Sequence, residues 1–169
     1  MVIWIIGLSG SGKTYLANKL FKKVQGKKII VDGDVIRKYI TYNLKYSKKD
    51  RKINSQLISD LCKFLEIQGF TVICSILSIF KEHQKLNRKK FKDYFQIYIN
   101  TNISKLKERN IKKIYYKTNV VGKNLKFPKP YQSDLEIKNN FVPYSEKKIN
   151  QIIKVIKNVK RNKKKYQIL

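Results

Sequence analysis

The sequence predicts an α/β fold, a mostly parallel five-stranded sheet with helices on both faces. Three observations carry this prediction. Short apolar segments alternate with longer amphipathic ones, a glycine-rich loop joins the first such pair, and two carboxylates follow the second apolar segment. Alternation of this kind is the βαβ rhythm of an open parallel sheet. The length of 169 residues suits one domain, and we expect a single domain over residues 1–169.

The first elements follow from the apolar pattern on either side of the loop. Residues 2–6 are an apolar run that predicts a strand, and residues 13–24 have the pattern of the helix that follows the loop. The apolar residues at 28–31 predict the second strand. Residues 35–49 form a polar segment to which no strand or helix is assigned.

The middle of the chain contains a long helix followed by a strand. Apolar residues recur at helical spacing through residues 49–68, and Gly69 ends this helix. Residues 70–74 predict the third strand. Residues 79–91 are predicted to be a mostly polar helix, on which the only histidine, His83, is expected to be exposed and without a role in catalysis.

The last part of the chain is less regular. Residues 94–99 predict a fourth strand and residues 103–109 a short helix. Residues 110–132 have no period, which predicts a long ordered loop or lid, because loops of this length in compact domains are usually functional or disordered. Residues 135–137 are predicted to be an edge strand, and residues 146–160 a closing helix with one apolar face.

The loop between the first strand and the first helix is a full Walker A sequence. It consists of Gly7, Leu8, Ser9, Gly10, Ser11, Gly12, Lys13 and Thr14. The glycines let successive backbone N–H groups point at phosphate oxygens, while Lys13 can reach the β- and γ-phosphates and the Thr14 hydroxyl can ligate Mg²⁺. Because a strand and a helix flank the loop, we predict a phosphate-binding loop and the three-layer sandwich of the P-loop NTPases.

Two carboxylates follow the second strand, at the sheet edge where α/β proteins bind ligands. Asp32 and Asp34 are two residues apart, and side chains at that spacing in an extended segment point the same way. Such a pair could hold Mg²⁺ through water and orient an attacking hydroxyl, and Arg37 could reach into the same cleft. The alternative is a turn in which Asp34 only caps the next helix. Beside a phosphate loop, we favour the functional role.

The net charge of +28 favours binding to polyanions, and it raises the alternative of a basic, nucleotide-dependent nucleic-acid-binding protein. Lysine carries most of this charge, whereas arginine is the residue preferred for bidentate phosphate contacts. An excess of Lys, Asn and Ile is more typical of a genome-wide codon bias than of a binding stripe. We therefore expect no nucleic-acid partner, and we expect the basic tail at 160–169 to be disordered or frayed.

Cysteine content and the length of the apolar runs bear on the compartment. Cys62 and Cys74, the only cysteines, lie in apolar stretches and are expected to be reduced core residues. No apolar run has the length of a membrane span or a signal peptide. We therefore expect a cytoplasmic protein that does not bind membranes. We also expect a small-molecule nucleotide as its partner and give a homodimer as a candidate assembly.

Several further segments resemble, in order and spacing, those of the adenylylsulfate (APS) kinases. The matching segments are residues 2–4 and 7–14, the group Asp32, Gly33, Asp34 and Arg37, residues 46–51 with Asn54, and residues 69–70, 75–78, 107–110, 112–117 and 130–131. Those enzymes use ATP to phosphorylate the ribose 3′-hydroxyl of a nucleotide whose 5′-phosphate carries a second acid group. The resemblance therefore implies an ATP-dependent kinase that uses Mg²⁺.

The resemblance also implies the residues of the donor site. Gly7, Ser9, Gly10, Ser11, Gly12, Lys13 and Thr14 would bind the ATP phosphates. Arg109 occupies the position where the family has an arginine beside the ATP adenine. Thr14 and Asp32 would hold Mg²⁺, and Lys13, Asp32 and Asp34 would be the catalytic residues, with the choice of base between the two carboxylates left open.

For the acceptor nucleotide, the resemblance implies a second set of residues. Arg37, Arg51 and Asn54 would hold its phosphate and sugar, together with Asp34 at the 3′-hydroxyl. Tyr46 occupies the position of a phenylalanine that packs on the acceptor base. The remaining members of the set are Ser75, Ile76 and Leu77, which would line the site, Lys117, which would neutralise anionic substrate, and Leu125, which replaces an aromatic residue expected to stack on adenine.

Some positions depart from the APS kinase pattern, and they bear on the acceptor. The proline of one segment is replaced by Ile79, an aspartate before the lid by Asn110, and the segment that holds the stacking aromatic by residues 124–129. A branch that phosphorylates cytidine 5′-diphosphoramidate, from pathways that decorate capsular polysaccharide, fits such departures. Base contacts decide which nucleotide fits, whereas the phosphate loop and the carboxylates decide the reaction, so these departures leave the reaction class unchanged and weaken APS as the acceptor. We therefore favour the cytidine compound, with APS as the alternative.

Overall fold

The computed structural model describes residues 1–109 and 119–165. Its elements, in chain order, are β1 (Val2–Gly7), α1 (Lys13–Lys23), β2 (Lys28–Asp32), α2 (Gly33–Tyr39), α3 (Lys48–Ile67), β3 (Thr71–Ile76), α4 (Lys81–Lys90), β4 (Tyr94–Asn100), α5 (Ile103–Arg109), β5 (Leu135–Lys138) and α6 (Glu146–Lys165). Most bounds lie within a residue or two of those predicted from the sequence.

The strands form one sheet in the order β2-β3-β1-β4-β5, and every ladder between neighbours is parallel. β1 lies at the centre, where Ile3 is in register with Ile73 of β3 on one side and Phe95 of β4 on the other. β5 pairs with β4 at the edge, as predicted. The predicted parallel α/β sheet is confirmed, and all its strands end at the same edge, beside the glycine-rich loop.

A hydrophobic core lies on each face of the sheet, because successive side chains of β1 point to opposite sides. Ile3 and Ile5 pack with Leu16 and Leu20 of α1 and with the apolar face of α6. Val2, Trp4 and Ile6 lie on the other face, where the core partners from α2 and α3 are Ile36, Ile58 and Cys62. Two helical layers around one sheet make the three-layer sandwich that the loop predicts.

The short helix α2 is the main element missing from the sequence-based assignment. The Asp32 carboxylate caps it by accepting a hydrogen bond from the Asp34 N–H. Only Ile36 of this helix is buried, so seven residues show no apolar period. The following helix α3 begins after Ser47, whose hydroxyl accepts from the Asp50 N–H in the manner of an N-cap.

The C-terminal helix also differs from the prediction. α6 runs to Lys165, beyond the expected end at residue 160, so the basic segment up to that point is helical rather than frayed. Residues 146–165 contain no glycine or proline, and basic side chains are favourable in the last turns of a helix. The proposed lid at 110–132 is described only from residue 119 onward, where the chain is irregular apart from a bridge between Val121 and Leu125.

The packing of α3 against α4 corrects the prediction for His83. Its side chain is buried, 7% exposed, and Nδ1 lies 3.1 Å from the Ser55 hydroxyl of α3. The Ser59 hydroxyl likewise donates to Asn87 of α4 at 2.6 Å. The mostly polar helix α4 therefore packs against α3 through buried, hydrogen-bonded polar side chains. A search for apolar residues at helical spacing does not detect such a contact.

The two cysteines lie in the core, as predicted. Cys62 and Cys74 are free thiols buried in the core beneath α3. Burial is the main cause that raises the pKa of the Cys74 thiol, and the neighbouring Cys62 adds to it. Among the described residues, no helix combines the length and the hydropathy needed to cross a membrane.

Candidate active site

The glycine-rich loop leaves the carboxyl end of β1 at the centre of the sheet and leads into α1. Gly10 and Gly12 have φ angles of 79° and 91°, a left-handed backbone that favours glycine. At Gly7, a Cβ atom would lie 2.5 Å from the Ser11 hydroxyl oxygen and 3.0 Å from the Ile99 carbonyl oxygen. Glycine is therefore required at these positions by backbone geometry and by close packing.

The Lys13 ammonium lies across this loop. Its Nζ donates to the Leu8 carbonyl at 2.8 Å, and the Ser11 N–H donates to the same carbonyl at 3.2 Å. Leu8 is itself buried, 5% exposed, so the loop is anchored on the apolar side. The N-terminus of α1 begins at Lys13, which adds the partial positive charge of a helix end. Cationic and N–H donors thus converge where a phosphate would bind.

Asp32 joins β2, β3 and the loop. Its Oδ2 accepts hydrogen bonds from the Thr14 hydroxyl at 2.7 Å and from the Ser75 hydroxyl at 2.6 Å, and its Oδ1 accepts from the Asp34 N–H at 2.9 Å. Burial opposes ionisation of this carboxyl. The hydrogen bonds from Ser75, Thr14 and the backbone of Asp34 and Val35 outweigh burial and lower the pKa of Asp32. Asp32 is therefore a carboxylate at neutral pH.

Asp34 does not extend from the strand as the sequence analysis expects. It lies in the first turn of α2, exposed to solvent, while Asp32 ends β2 and caps that helix. The alternative in which Asp34 caps the next helix is therefore wrong, because the capping residue is Asp32. Asp34 still lies on the ligand-binding edge; burial and Arg37 lower the pKa of the Arg51 guanidinium, and the charge of Asp34 is among the smaller causes that oppose this shift.

The residues around Thr14 fit a magnesium ion. A hydroxyl and an ionised carboxylate oxygen lie 2.7 Å apart beside the phosphate loop, and Mg²⁺ prefers few protein oxygens together with waters and phosphates. In the part of the chain that the structure describes, no three His, Cys, Asp or Glu side chains form a metal-binding group. A site completed by nucleotide phosphates suits this donor set.

Beyond the carboxylates, two guanidinium groups flank an aromatic ring. Arg37 and Arg51 lie 4.9 Å and 5.3 Å from the centre of the Tyr46 ring. Arg37 also donates to the carbonyls of Leu44 and Lys45, and Arg51 to those of Tyr46 and Asn119. Burial, followed by the charge of Arg37, lowers the pKa of Arg51. Tyr46 itself is 55% exposed, so a cationic and aromatic surface faces solvent here.

Other predicted acceptor residues lie deeper. Asn54 is 4% exposed and accepts a hydrogen bond from the Thr41 hydroxyl, so it holds the chain before α3 onto that helix. Ser75 and Ile76, at the end of β3, are buried. Leu77 lies just beyond them and packs against a small apolar cluster that contains Leu8 of the loop. The structure thus brings this segment next to the phosphate loop.

The same apolar cluster contains the replacement for the expected aromatic residue. Leu125 packs against Leu8, Leu106, Val120 and Val121, and its N–H donates to the Val120 carbonyl. A stretch predicted to be a lid is therefore attached, from residue 119 onward, to the apolar side of the phosphate loop. Lys117 lies outside the described residues.

Two residues that the sequence analysis missed follow β5. Asn139 is buried, and its side-chain amide donates to the Ser11 carbonyl of the loop at 2.7 Å. Phe141 has a φ angle of 64°, and its ring lies 4.3 Å from the Arg109 guanidinium. The signal available was topological: β5 is parallel, so its carboxyl end had to lie at the same edge as the loop.

The fold, the phosphate loop and the Thr14–Asp32 pair define a P-loop kinase. The family model for adenylylsulphate kinase matches residues 1–138. The chain belongs to this family, and it is an ATP-dependent phosphotransferase.

The individual relatives are named as two different kinases. A cytidine diphosphoramidate kinase from Campylobacter jejuni is 36% identical over 162 residues, which cover 90% of this chain and 94% of that protein. An adenylyl-sulfate kinase from Halothermothrix orenii is 27% identical over 149 residues, covering 83% of this chain and 80% of that protein. A solved APS kinase from Mycobacterium tuberculosis, in complex with AMPPNP and APS, superposes with a TM-score of 0.81 at 24% identity, covering 92% and 96%.

Proposed function

We propose that the protein transfers the γ-phosphoryl group of ATP to the ribose 3′-hydroxyl of a 5′-modified nucleotide, with cytidine 5′-diphosphoramidate as the acceptor. The observation that carries this choice is the match to the cytidine diphosphoramidate kinase, which spans 90% of the chain at 36% identity. The adenylyl-sulfate kinase of Halothermothrix orenii matches 83% of the chain at 27% identity, and a protein of Pyrococcus abyssi named probable adenylyl-sulfate kinase matches 68% of the chain at 36% identity.

The donor side of the reaction rests on positioning and charge. Lys13 and the loop N–H groups would hold the β- and γ-phosphates. Negative charge on these phosphates develops further in the transition state, and the cation and the N–H groups would stabilise it. Thr14 and the ionised Asp32 would hold Mg²⁺, which would supply positive charge against the phosphates. Arg109, whose guanidinium lies 4.3 Å from the centre of the Phe141 ring, would contact the adenine.

The hydrogen bonds of Asp32 support different roles for the two carboxylates. Asp32 already accepts from Thr14, Ser75 and the helix backbone, and its pKa is lowered, so it is a poor proton acceptor. Asp34 lies two residues after Asp32, in the first turn of α2, and is exposed to solvent near Arg51. We assign the orientation of the acceptor hydroxyl to Asp34 and the metal to Asp32.

The acceptor would bind on the Arg37, Tyr46 and Arg51 side. Two guanidinium groups suit the paired acid groups on a 5′-phosphate, because arginine binds such oxygens in a bidentate manner. The Tyr46 ring offers a face for the base. Leu125 replaces an expected aromatic with an aliphatic side chain in the apolar cluster beside the loop, which weakens stacking on a purine and is compatible with a smaller pyrimidine.

APS remains the second candidate acceptor, because the family model carries that activity in its name. The two are separated by incubating the protein with Mg·ATP and each acceptor in turn. ADP release and the new 3′-phosphate signal in phosphorus NMR are followed, with Lys13→Ala as the inactive control. We expect turnover of cytidine 5′-diphosphoramidate and at most slow turnover of APS. Rapid turnover of APS without turnover of the cytidine compound would overturn the choice of acceptor.

A further inference from the structure

Asn139 links the edge of the sheet to the phosphate loop. Its backbone N–H donates to the Asn100 carbonyl at 2.9 Å, which continues the β4–β5 ladder and fixes the residue in the sheet. The side chain is 9% exposed. Both of its polar ends have backbone partners, so this amide has one orientation.

The first partner is a carbonyl inside the phosphate loop. Asn139 Nδ2 donates to the Ser11 carbonyl oxygen at 2.7 Å, and a Cβ atom on Gly12 would lie 3.1 Å from the same nitrogen. In a trans peptide, the carbonyl and the following N–H point in opposite directions. A carbonyl held toward Asn139 therefore turns the Gly12 N–H away from β5, and Gly12 with its φ of 91° has no side chain to keep that orientation by itself.

The second partner is the backbone of the strained residue Phe141. Asn139 Oδ1 accepts from the Phe141 N–H at 2.8 Å. Phe141 has a φ of 64°, which is unfavourable for an aromatic residue, and its ring lies under the Arg109 guanidinium. One buried amide thus ties the loop to the Arg109–Phe141 contact.

We propose that Asn139 is a positioning residue of the donor-nucleotide site: its amide orients the Ser11–Gly12 peptide so that the Gly12 N–H faces the phosphates, and it holds Phe141 against Arg109. This proposal rests on ATP as the phosphoryl donor but not on the identity of the acceptor.

The test compares Asn139→Asp and Asn139→Ala with the matched control Asn140→Ala, a neighbouring residue that is exposed. Aspartate keeps the size and the acceptor for the Phe141 N–H, but as a carboxylate it cannot donate to the Ser11 carbonyl. The measurements are the Kd for Mg·ADP by calorimetry, the KM values for ATP and acceptor, and the Tm. We expect both Asn139 variants to weaken ADP binding and raise the KM for ATP by roughly tenfold, the effect of one lost buried hydrogen bond.

The acceptor KM should stay within about twofold in every variant, and Asn140→Ala should resemble the wild type throughout. A purely structural role predicts a different result, namely a lower Tm and a lower active fraction with an unchanged KM for ATP. Wild-type ADP affinity in folded Asn139→Asp would overturn the proposal, as would equal rises in both KM values. Because ADP binding needs no acceptor, failure of the acceptor assignment would leave this test intact.

Discussion

The donor and acceptor sides of the site are built in different ways. On the proposed donor side the phosphate-binding groups are backbone atoms and closely held side chains: Ser11 is fully buried, and Asp32 is held by three hydrogen bonds. On the proposed acceptor side Asn54 and Ser75 are buried, but Arg37, Tyr46 and Arg51 are long side chains that contact one another at the surface. Tyr46 is 55% exposed, and the nearby Tyr42 is 78% exposed.

This difference separates reaction from recognition. A phosphate cradle made of backbone at the centre of a sheet cannot change without disturbing the core, so it suits the constant part of the reaction. Exposed side chains on the connection between α2 and α3 can be replaced with little effect on folding, so they suit the choice of substrate. Tyr46, which replaces a phenylalanine of the APS kinase pattern, lies on this exposed surface, whereas the departures at Ile79 and Leu125 lie in the apolar cluster beside the loop.

Removing the loop cation should give the largest effect. Lys13→Ala is expected to lower kcat/KM at least about 10³-fold, because the loss falls on the charge of the transferred phosphoryl group. Steady-state ADP release measures it, with Lys22→Ala, an exposed lysine on α1, as the matched control. Near-normal turnover in Lys13→Ala would contradict the donor assignment.

Asp32→Asn tests whether the charge on the donor side matters beyond its hydrogen bonds. The amide oxygen can still cap α2, so we expect a normal fold, with kcat lower by about 10²-fold and a higher Mg²⁺ requirement. Magnesium titration of the rate and a thermal melt measure the two parts. Asp60→Asn, an exposed carboxylate of α3 paired with Lys90, is the control. A lower Tm with an unchanged kcat per folded molecule and an unchanged Mg²⁺ requirement would make Asp32 a structural residue only.

Arg51→Ala should damage the acceptor side alone. We expect the KM for the acceptor to rise by roughly 10²-fold while the KM for ATP changes by less than about twofold, because a charged contact to the acceptor phosphate is lost. Initial rates at varied ATP and acceptor separate the two values. Lys49→Ala, two residues earlier on the same helix and exposed, controls for lost surface charge. Equal changes in both KM values would show that the two sides are not independent.

The smallest expected effect is a pH dependence of stability at the α3–α4 contact that supports the acceptor side. Burial is the main cause that lowers the pKa of His83 below its ordinary 6.5; Lys52 and Lys90 act in the same direction and Glu82 opposes them. The unfolded chain then binds a proton at higher pH than the folded one. Stability is therefore fully present above about pH 6.5 and falls as the pH drops toward the folded pKa.

The matched variant for this prediction is His83→Gln, which keeps a hydrogen-bonding group toward Ser55 and does not titrate. The wild-type Tm should fall more steeply between about pH 7.5 and 5.5 than the Tm of the variant. If the Tm of both proteins depended on pH in the same way across that interval, the pKa of His83 would be the same in the folded and the unfolded chain, and the prediction would be wrong.

Much of the fold could be predicted from the sequence because its strongest signals are local. The apolar run of β1 beside the glycine-rich loop and the long period of α3 each identify an element without reference to the rest of the chain. The helix α2 was missed for the same reason, because it buries only Ile36 and shows no apolar stripe. The helix α4 was predicted, but the burial of His83, Gln84 and Asn87 on it was not, because these side chains are polar.

The sequence by itself determined the phosphate loop and the carboxylates that follow β2, because backbone geometry allows only certain residues at those spacings. Only the tertiary structure decided which of these residues contact one another. It made Asp32 the partner of Thr14 and Ser75, and it brought Asn139 to Ser11 across 128 positions of the chain. Such contacts depend on which strand ends meet at one sheet edge, and that order is set by packing of the whole sheet rather than by any local pattern.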